Sequence, residues 1–308
     1  MSPRPNKSSS LLAGLGPALE HCCGIGYGPS PSHKWRLASQ SFFLLLYNAY
    51  LFFPSLFNSL GNNFLKAIPC PGLNCYACPL AIFACPIGSL QYFVIIGQFP
   101  FYLLGFLALL GILFGRAICG WACPFGFLQD LLYRLQVVKR RILPAQVSLL
   151  PFVVLLGVVL VIPYLTKEPW FSKLCPMGTL QAGIPLVLLD ASLRELVGTL
   201  YWVKIAILVF FIALAIFDSR PFCRSVCPLG AIYALFNRLS LIQVKLGAGC
   251  STCGDCSGTK SPEAQCPTKL ELPRQLNSIG CIKCGECAAC ENLRLGVGSR
   301  IDFTPKAR

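Results

Sequence analysis

The stretch CGWACPFG, residues 119–126, follows a long apolar run, and its last four residues form a Cys-Pro-x-Gly phrase. Similar phrases begin at Cys85, Cys175 and Cys227. In residues 119–126, proline suits the first position of a helix, where no backbone N–H is needed. The preceding cysteine then lies at a helix N-terminus, where free amides and the helix dipole favour an anionic thiolate. The phrase therefore predicts metal-ligating thiolates at the ends of apolar segments.

The composition favours a membrane protein. Of 308 residues, 55% are hydrophobic and only 12% are charged. An α-helix needs roughly 20 apolar residues to cross a bilayer, and four stretches meet or approach this length: residues 41–60, 90–115, 147–166 and 199–217. A buried core helix is the alternative for each stretch, but four of them in one short chain favour membrane spans. The predicted fold is all-α with four transmembrane helices.

The distribution of Lys and Arg predicts the orientation. These residues are concentrated before the first span, between the second and third spans, and after the fourth. Because cytoplasmic loops carry such an excess, both termini are predicted to be cytoplasmic, in a multi-pass protein of a prokaryotic cell membrane. The net charge of +14 would then face anionic lipid and acidic partners. Nucleic acid is a poor explanation, because the basic residues flank spans instead of forming a stripe.

Three domains are predicted. Residues 1–40 form a cytoplasmic segment, residues 41–246 form the transmembrane domain, and residues 247–308 form a polar, Cys-rich cytoplasmic domain of ferredoxin-like type. The transmembrane domain has the order span, outer Cys-Pro, span, inner Cys-Pro, and this order occurs twice. Such a pattern predicts two parallel repeats related by an axis along the membrane normal.

The Cys-rich tail gives the clearest cofactor signal. Bacterial ferredoxins hold two [4Fe–4S] clusters with Cys-x2-Cys-x2-Cys runs, and the fourth cysteine of each run serves the other cluster. The predicted ligands are Cys250, Cys253, Cys256 and Cys290 for one cluster, and Cys281, Cys284, Cys287 and Cys266 for the other. Cys266 and Cys290 depart from the usual spacing, which leaves the pairing of the fourth ligands open. Two structural zinc sites are the alternative use of these thiolates.

Two further groups of four cysteines flank the spans. The inner set, at the cytoplasmic helix ends, comprises Cys119, Cys123, Cys223 and Cys227. The outer set comprises Cys75, Cys78, Cys85 and Cys175, with Cys70 as a spare. Each set supplies the number of thiolates that one [4Fe–4S] cluster needs. Free buried thiols are the alternative for the inner set, and disulfides for the outer set, because exposed cysteines outside the cytoplasm commonly pair. Cys22 and Cys23 are not assigned.

The paired Cys-x3-Cys-Pro motifs, the four spans and the two-cluster tail resemble the polyferredoxin-type membrane 4Fe–4S binding proteins. That family includes the quinol-oxidising membrane subunit of periplasmic nitrate reductase and the transmembrane regulator of nitrous oxide reductase. The resemblance covers roughly residues 90–290. The outer runs PGLNCYACPLA, residues 71–81, and CPIGSLQ, residues 85–91, are similar to an uncharacterised branch. The family implies a cytoplasmic ferredoxin-like or quinone donor and an extracytoplasmic flavoprotein or cytochrome acceptor, with quinone as a candidate cofactor.

The predicted function is transmembrane electron transfer through about four [4Fe–4S] clusters: one outer, one inner and two in the tail. The protein is expected to be an electron-transfer subunit rather than a stand-alone catalyst, because its work is to hold and tune cofactors. A one-sided quinol dehydrogenase subunit and a redox-sensing regulatory or assembly protein are the alternatives, and a thiol–disulfide oxidoreductase using Cys75 and Cys78 is a further one. Because the hydrocarbon layer is about 30 Å thick, the conduit requires sunken clusters. Residues 176–189 are a candidate re-entrant half helix.

Overall fold

A computed structural model describes residues 31–49, 66–75, 77–78, 81–135, 145–195, 197–246, 275–285 and 293–297, together with residues 266, 268 and 270. This part of the chain is mostly helical. Several cysteines of the sequence analysis lie outside the described residues: Cys22, Cys23, Cys250, Cys253, Cys256, Cys287 and Cys290.

The helices are α1 Pro31–Tyr47, α2 Pro86–Ile96, α3 Phe101–Phe114, α4 Ala117–Trp121, α5 Pro124–Arg134, α6 Val147–Thr166, α7 Trp170–Leu174, α8 Pro176–Leu189, α9 Ala191–Glu195, α10 Thr199–Phe217, α11 Pro221–Ser225 and α12 Pro228–Leu235. The strands β1 Ile242–Leu246 and β2 Leu293–Val297 pair antiparallel, with Val244 opposite Leu295. This ladder corrects the all-α prediction to a mostly helical fold. It also crosses the domain boundary predicted at residue 247.

Two described helices are long and apolar enough to cross a membrane. They are α6 and α10, and their bounds coincide with the third and fourth predicted spans. Helices α2, α3 and α8 are apolar but shorter. Large apolar side chains along these helices are exposed, among them Phe101, Leu165 and Phe210. An apolar surface of this kind suits lipid better than water.

The second predicted span, residues 90–115, is not one helix. Residues 97–100 divide it between α2 and α3. Gly97 has a φ of +71°, and its N–H bonds to carbonyls of the last turn of α2, which is a helix end that glycine favours. Pro100 then lacks the N–H that a continuous α-helix would need. The apolar pattern predicts helix correctly, but the helix is not continuous over residues 90–115. Of the first predicted span, residues 50–60 lie outside the described residues.

Helices α6 and α8 each contain a π-helical stretch shortly before a proline. The stretches are Leu155–Val161, before Pro163, and Thr179–Gly183, before Pro185. In a π-helix each carbonyl accepts from the N–H five residues later, and for Val158 that residue is Pro163, which has no N–H. The side chain of Gln91 on α2 donates to this carbonyl instead, at 3.5 Å. The irregular turn of α6 therefore joins it to α2.

Candidate metal centres

Each Cys-Pro-x-Gly phrase starts a helix. Cys85, Cys123, Cys175 and Cys227 are the extended N-cap residues of α2, α5, α8 and α12, and proline follows each of them in the first turn. The pKa of the Cys85 thiol is raised to about 11, because the effect of burial exceeds that of the backbone amides of Gly88 and Ile87, which lower the pKa. The helix start therefore favours the thiolate form against burial.

The inner set comes together in the structure. All four of its thiols are buried, with exposed fractions of 5–7%. The Cys227 thiol interacts electrostatically with those of Cys119, Cys123 and Cys223. Burial raises the pKa of Cys119, whereas the Arg116 guanidinium lowers it. The short helices α4 and α11 and the starts of α5 and α12 thus bring four buried thiols close to one another.

Two arginines hold the inner set from opposite repeats. Arg116 precedes Cys119 by three residues and donates to the carbonyl of Cys223 at 3.3 Å. Arg220 precedes Cys223 by three residues and donates to the carbonyl of Cys119 at 2.7 Å. Each repeat therefore fixes the backbone of the other repeat's cysteine. The exchange gives the inner set an approximate twofold relation.

The glycines of the inner phrases make room for this exchange. A Cβ atom on Gly126 would lie 3.0 Å from the carbonyl oxygen of Cys119 and 3.5 Å from the guanidinium carbon of Arg220. A Cβ atom on Gly230 would lie 3.2 Å from a guanidinium nitrogen of Arg116. In the inner set, the fourth residue of the phrase is therefore glycine because an arginine side chain of the other repeat lies beside it.

A buried carboxylate completes the inner site. Asp130 on α5 accepts from Nε of Arg220 at 2.7 Å and from Nη2 at 2.5 Å, which is a bidentate pair. Gln40 donates to the same carboxylate at 3.2 Å, and Arg36 lies 3.5 Å from it. Burial raises the pKa of Asp130, but the Arg220 guanidinium outweighs burial and holds it below its usual range. The network joins α1, α5 and the start of α11.

Gln129 on α5 contacts a predicted ligand directly. Its Nε2 donates to the Cys223 sulfur at 3.3 Å, and its Oε1 accepts from the Phe222 N–H at 3.2 Å. Because the backbone N–H fixes the oxygen end of the carboxamide, the nitrogen end faces the sulfur. Hydrogen bonds to ligand sulfurs are one of the means by which proteins set cluster potentials.

Most of the outer set surrounds one small cavity. Cys75, Cys85 and Cys175 line it together with Asn74. Cys78 is outside this lining, although its backbone N–H donates to the Cys75 carbonyl at 3.2 Å. The structure therefore groups three outer thiols directly and places the fourth one turn away.

Cys70 lies between the two sets. It is fully buried, and its thiol interacts electrostatically with Cys85 of the outer set and Cys123 of the inner set. A Cβ atom on Gly72 would lie only 3.3 Å from the Cα of Cys123. Residues 70–75 thus pack against both sets, a proximity that the sequence analysis did not anticipate.

The described part of the tail packs against the inner site. Cys266, Cys281 and Cys284, which belong to one predicted tail cluster, line a common cavity. A Cβ atom on Gly120 would lie 2.7 Å from the Ile282 carbonyl and 3.7 Å from the Cα of Cys284. Glycine at position 120 therefore permits contact between the tail and the inner helix end.

A buried lysine attaches the tail. The ammonium of Lys283 donates to the carbonyls of Asn237 and Ile242, at 3.0 and 2.6 Å, and to the Ser240 hydroxyl. Burial lowers the pKa of Lys283 to about 8. Sequence reasoning missed this residue, and it also missed Arg116 and Arg220. The signal available for the arginines was their equal position, three residues before the first cysteine of each Cys-x3-Cys-Pro motif.

The arrangement suits a cubane better than a single ion. Within the described ranges, no three Cys, His, Asp or Glu side chains are close enough to hold one metal ion. A [4Fe–4S] cluster binds each thiolate through a different iron, so its ligands stand further apart. No disulfide links the cysteines in these ranges. Four buried thiols surrounded by guanidiniums, amides and helix starts fit such an anionic cluster.

Comparisons with known proteins identify the same cofactor. A family model for a 4Fe–4S binding domain matches residues 96–142, 148–187 and 201–248. The chain is 31% identical over 210 residues to an uncharacterised protein of Methanocaldococcus jannaschii, covering 64% of this chain and 79% of that protein. It is 30% identical over 148 residues to the methylamine utilization ferredoxin-type protein MauN of Methylorubrum extorquens. This match covers 46% of this chain and 46% of MauN.

A more distant relative is the ferredoxin-type protein NapH of Haemophilus influenzae, which is 26% identical over 162 residues, covering 52% of this chain and 51% of NapH. The chain thus spans about half the length of MauN and of NapH. No solved structure matches it.

Proposed function

The chain belongs to the polyferredoxin-type 4Fe–4S binding proteins, as its cysteine spacing predicts, and we propose that it conducts electrons across a membrane. Its cofactors are [4Fe–4S] clusters, which accept and donate single electrons. The chain's own contribution is to hold these clusters in succession and to set their potentials. Relatives named ferredoxin-type proteins support an electron-transfer role.

The proposal assigns one cluster to each cysteine set. The outer set holds one, the inner set holds a second, and the tail holds two, with Cys266, Cys281 and Cys284 in one of them. Four spans cross the membrane, both termini are cytoplasmic, and residues 247–308 receive or deliver electrons on that side. Partners are a cytoplasmic ferredoxin-like protein or a quinone and an extracytoplasmic flavoprotein or cytochrome.

The observation that carries the proposal is the continuity of the cysteine sets. The outer set adjoins residues 70–75, those residues pack against Cys123 of the inner set, and Gly120 beside that set contacts the tail. A chain of neighbouring thiol sets would divide the passage through an insulating layer about 30 Å thick into shorter steps. The proposal requires the outer set to be sunk below the membrane surface, at the N-terminal ends of the short apolar helices α2 and α8.

Iron content provides the first test. Protein purified without oxygen should hold about sixteen irons per chain, four for each of four clusters. Cys75→Ser and Cys223→Ser should each remove about four irons and one EPR signal. Cys70→Ser is the matched control, because it removes a buried cysteine that belongs to no set, and it should retain the full iron content.

Electron flux provides the second test. Proteoliposomes containing entrapped cytochrome c and supplied with a reduced soluble ferredoxin outside should reduce the cytochrome, and Cys75→Ser should abolish this reduction. An iron content near eight would leave only the tail clusters and overturn the conduit. Full iron content without flux would instead favour the redox-sensing or assembly role.

A second candidate function is quinol oxidation on one side of the membrane, and an apolar cavity favours it. The cavity has a volume of about 620 Å³ and is lined by Phe43, Leu110, Phe114 and Ile118, with Lys283 as its charged member. Because Ile118 is next to Cys119, a bound quinol ring would lie close to the inner set. This function predicts quinol-driven cluster reduction that survives Cys75→Ser and is lost in Leu110→Trp, which fills the cavity.

A further inference from the structure

An orphaned amide lies in the wall of the outer cavity. Asn74 is fully buried, and its Nδ2 has no hydrogen-bond partner among the described residues. Asn74 lines the same cavity as Cys75, Cys85 and Cys175. Its own backbone N–H faces the Cys85 sulfur. Since a buried donor without an acceptor is costly and rare, the cavity should contain an acceptor for it.

The orientation of this amide is fixed by its neighbours. The backbone N–H of Cys75 donates to Oε1 of Gln181 at 2.8 Å, and a backbone N–H can only donate. Nε2 of Gln181 must therefore be the end that faces Asn74, at 2.7 Å from Oδ1. Oδ1 is thus used, and Nδ2 is the end left over. The usual ambiguity between carboxamide oxygen and nitrogen is resolved by the backbone.

We propose that Nδ2 of Asn74 donates a hydrogen bond to a sulfur atom of the outer cluster and raises its reduction potential. This inference rests on the proposed function, because it requires a cluster on the outer set. Reduction adds negative charge to the cluster sulfurs, so a fixed donor stabilises the reduced form more than the oxidised form. Asn74 is a positioning and tuning residue and is not a ligand.

The donor is held from the opposite repeat. Gln181 follows Cys175 in the phrase CPMGTLQ, yet it fixes Asn74 and Cys75, which precede Cys85. The equivalent glutamine of the other phrase, Gln91, accepts from the N–H and hydroxyl of Ser172 and donates to the Val158 carbonyl. The two phrases therefore differ in function although their sequences are nearly identical. Among the described residues, Asn74 is the buried carboxamide that has a spare donor.

The test compares variants by the potential of the outer cluster. Its EPR signal is identified as the one lost in Cys75→Ser. Asn74→Asp keeps the Oδ1 acceptor for Gln181 and removes the Nδ2 donor. Asn74→Leu removes both the acceptor and the donor. Each should lower the midpoint potential of the outer cluster without lowering iron content. Gln181→Leu, which frees the Asn74 carboxamide to rotate, should shift the potential in the same direction.

One control separates tuning from the general effect of a lost carboxamide. Asn48→Leu removes a carboxamide that is satisfied by the Leu44 carbonyl at 2.9 Å. It should leave the potential of the outer cluster at the wild-type value. An unchanged potential in Asn74→Asp and Gln181→Leu would overturn the inference and leave the conduit standing. If Cys75→Ser removed no signal at all, there would be no outer cluster, and the inference and the conduit would both be wrong.

Discussion

The inner and outer sets use the same helix starts but are held by different chemistry. Around the inner set, guanidiniums and a buried carboxylate cross between the repeats through Arg116, Arg220 and Asp130. Around the outer set, neutral carboxamides cross between the repeats through Gln91 and Gln181. Charged side chains therefore hold the loops of the two repeats together at the inner set, whereas neutral side chains hold them together at the outer set.

This difference has energetic consequences. Buried charges stabilise a structure only as complete networks, and removal of one partner leaves the other desolvated and unpaired. Neutral carboxamides lose less when one bond is removed. Cations close to an anionic cluster also favour its reduced form, so we expect the inner cluster to have the higher potential. The outer cluster depends instead on individual amide donors.

Arg220→Met should have the largest effect. It removes the bidentate partner of Asp130 and leaves a buried carboxylate, for which a loss of about 3–5 kcal/mol in the free energy of unfolding is expected. The inner cluster should be lost, and iron content should fall. Thermal unfolding in detergent and iron analysis measure both effects.

Lys173→Met is the matched control for Arg220→Met. It breaks an exposed ion pair with Glu168 at 2.8 Å, and exposed pairs contribute only about 0.2–1 kcal/mol. If the two variants were equally stable, the comparison between buried and exposed charge would be wrong. The inner site would then not depend on its ion network.

Gly120→Ala should have an intermediate effect, on the contact between tail and inner site. The added methyl group would lie 2.7 Å from the Ile282 carbonyl, and overpacking of this kind costs about 1–3 kcal/mol. All clusters should remain, but reduction of the inner cluster by the tail should slow. Freeze-quench EPR after addition of a reduced ferredoxin measures this rate.

Gly105→Ala is the control for Gly120→Ala. Position 105 lies within α3 with nothing within 4 Å of an added Cβ, so alanine should stabilise the helix by about 1 kcal/mol and leave the rate unchanged. A normal rate in Gly120→Ala would show that electrons do not pass where the tail contacts the inner helix end.

The sequence predicts correctly those helices whose bounds depend on local chemistry. The bounds of α6 and α10 follow from apolar length, and the helix starts after Cys123 and Cys227 follow from proline geometry. The break at Gly97 was missed because an apolar run hides a short turn whose two sides are equally hydrophobic. The ladder of β1 was missed because its partner strand is distant in sequence.

The exchange of side chains between repeats could not be predicted from spacing alone. Nothing in the order of residues indicates that Gln181 serves Cys75 instead of its own Cys175, since the choice depends on how the repeats pack. Likewise, spacing predicts Cys70 only as a spare, because its position between the two sets arises from the path of residues 70–75. Such contacts are tertiary, whereas the motif signals are local.

Gln129→Leu should affect stability no more than Gly120→Ala does, and it should have a specific effect on potential. It removes one hydrogen bond to the Cys223 sulfur and one to the Phe222 N–H, at a cost of about 1–3 kcal/mol. The inner cluster should remain but with a lower midpoint potential, while the outer cluster keeps its value. Potentiometric EPR titration resolves the two. A shift in the outer cluster instead would mean that the two sets are not tuned separately, and the contrast between charged and neutral support would then not extend to redox chemistry.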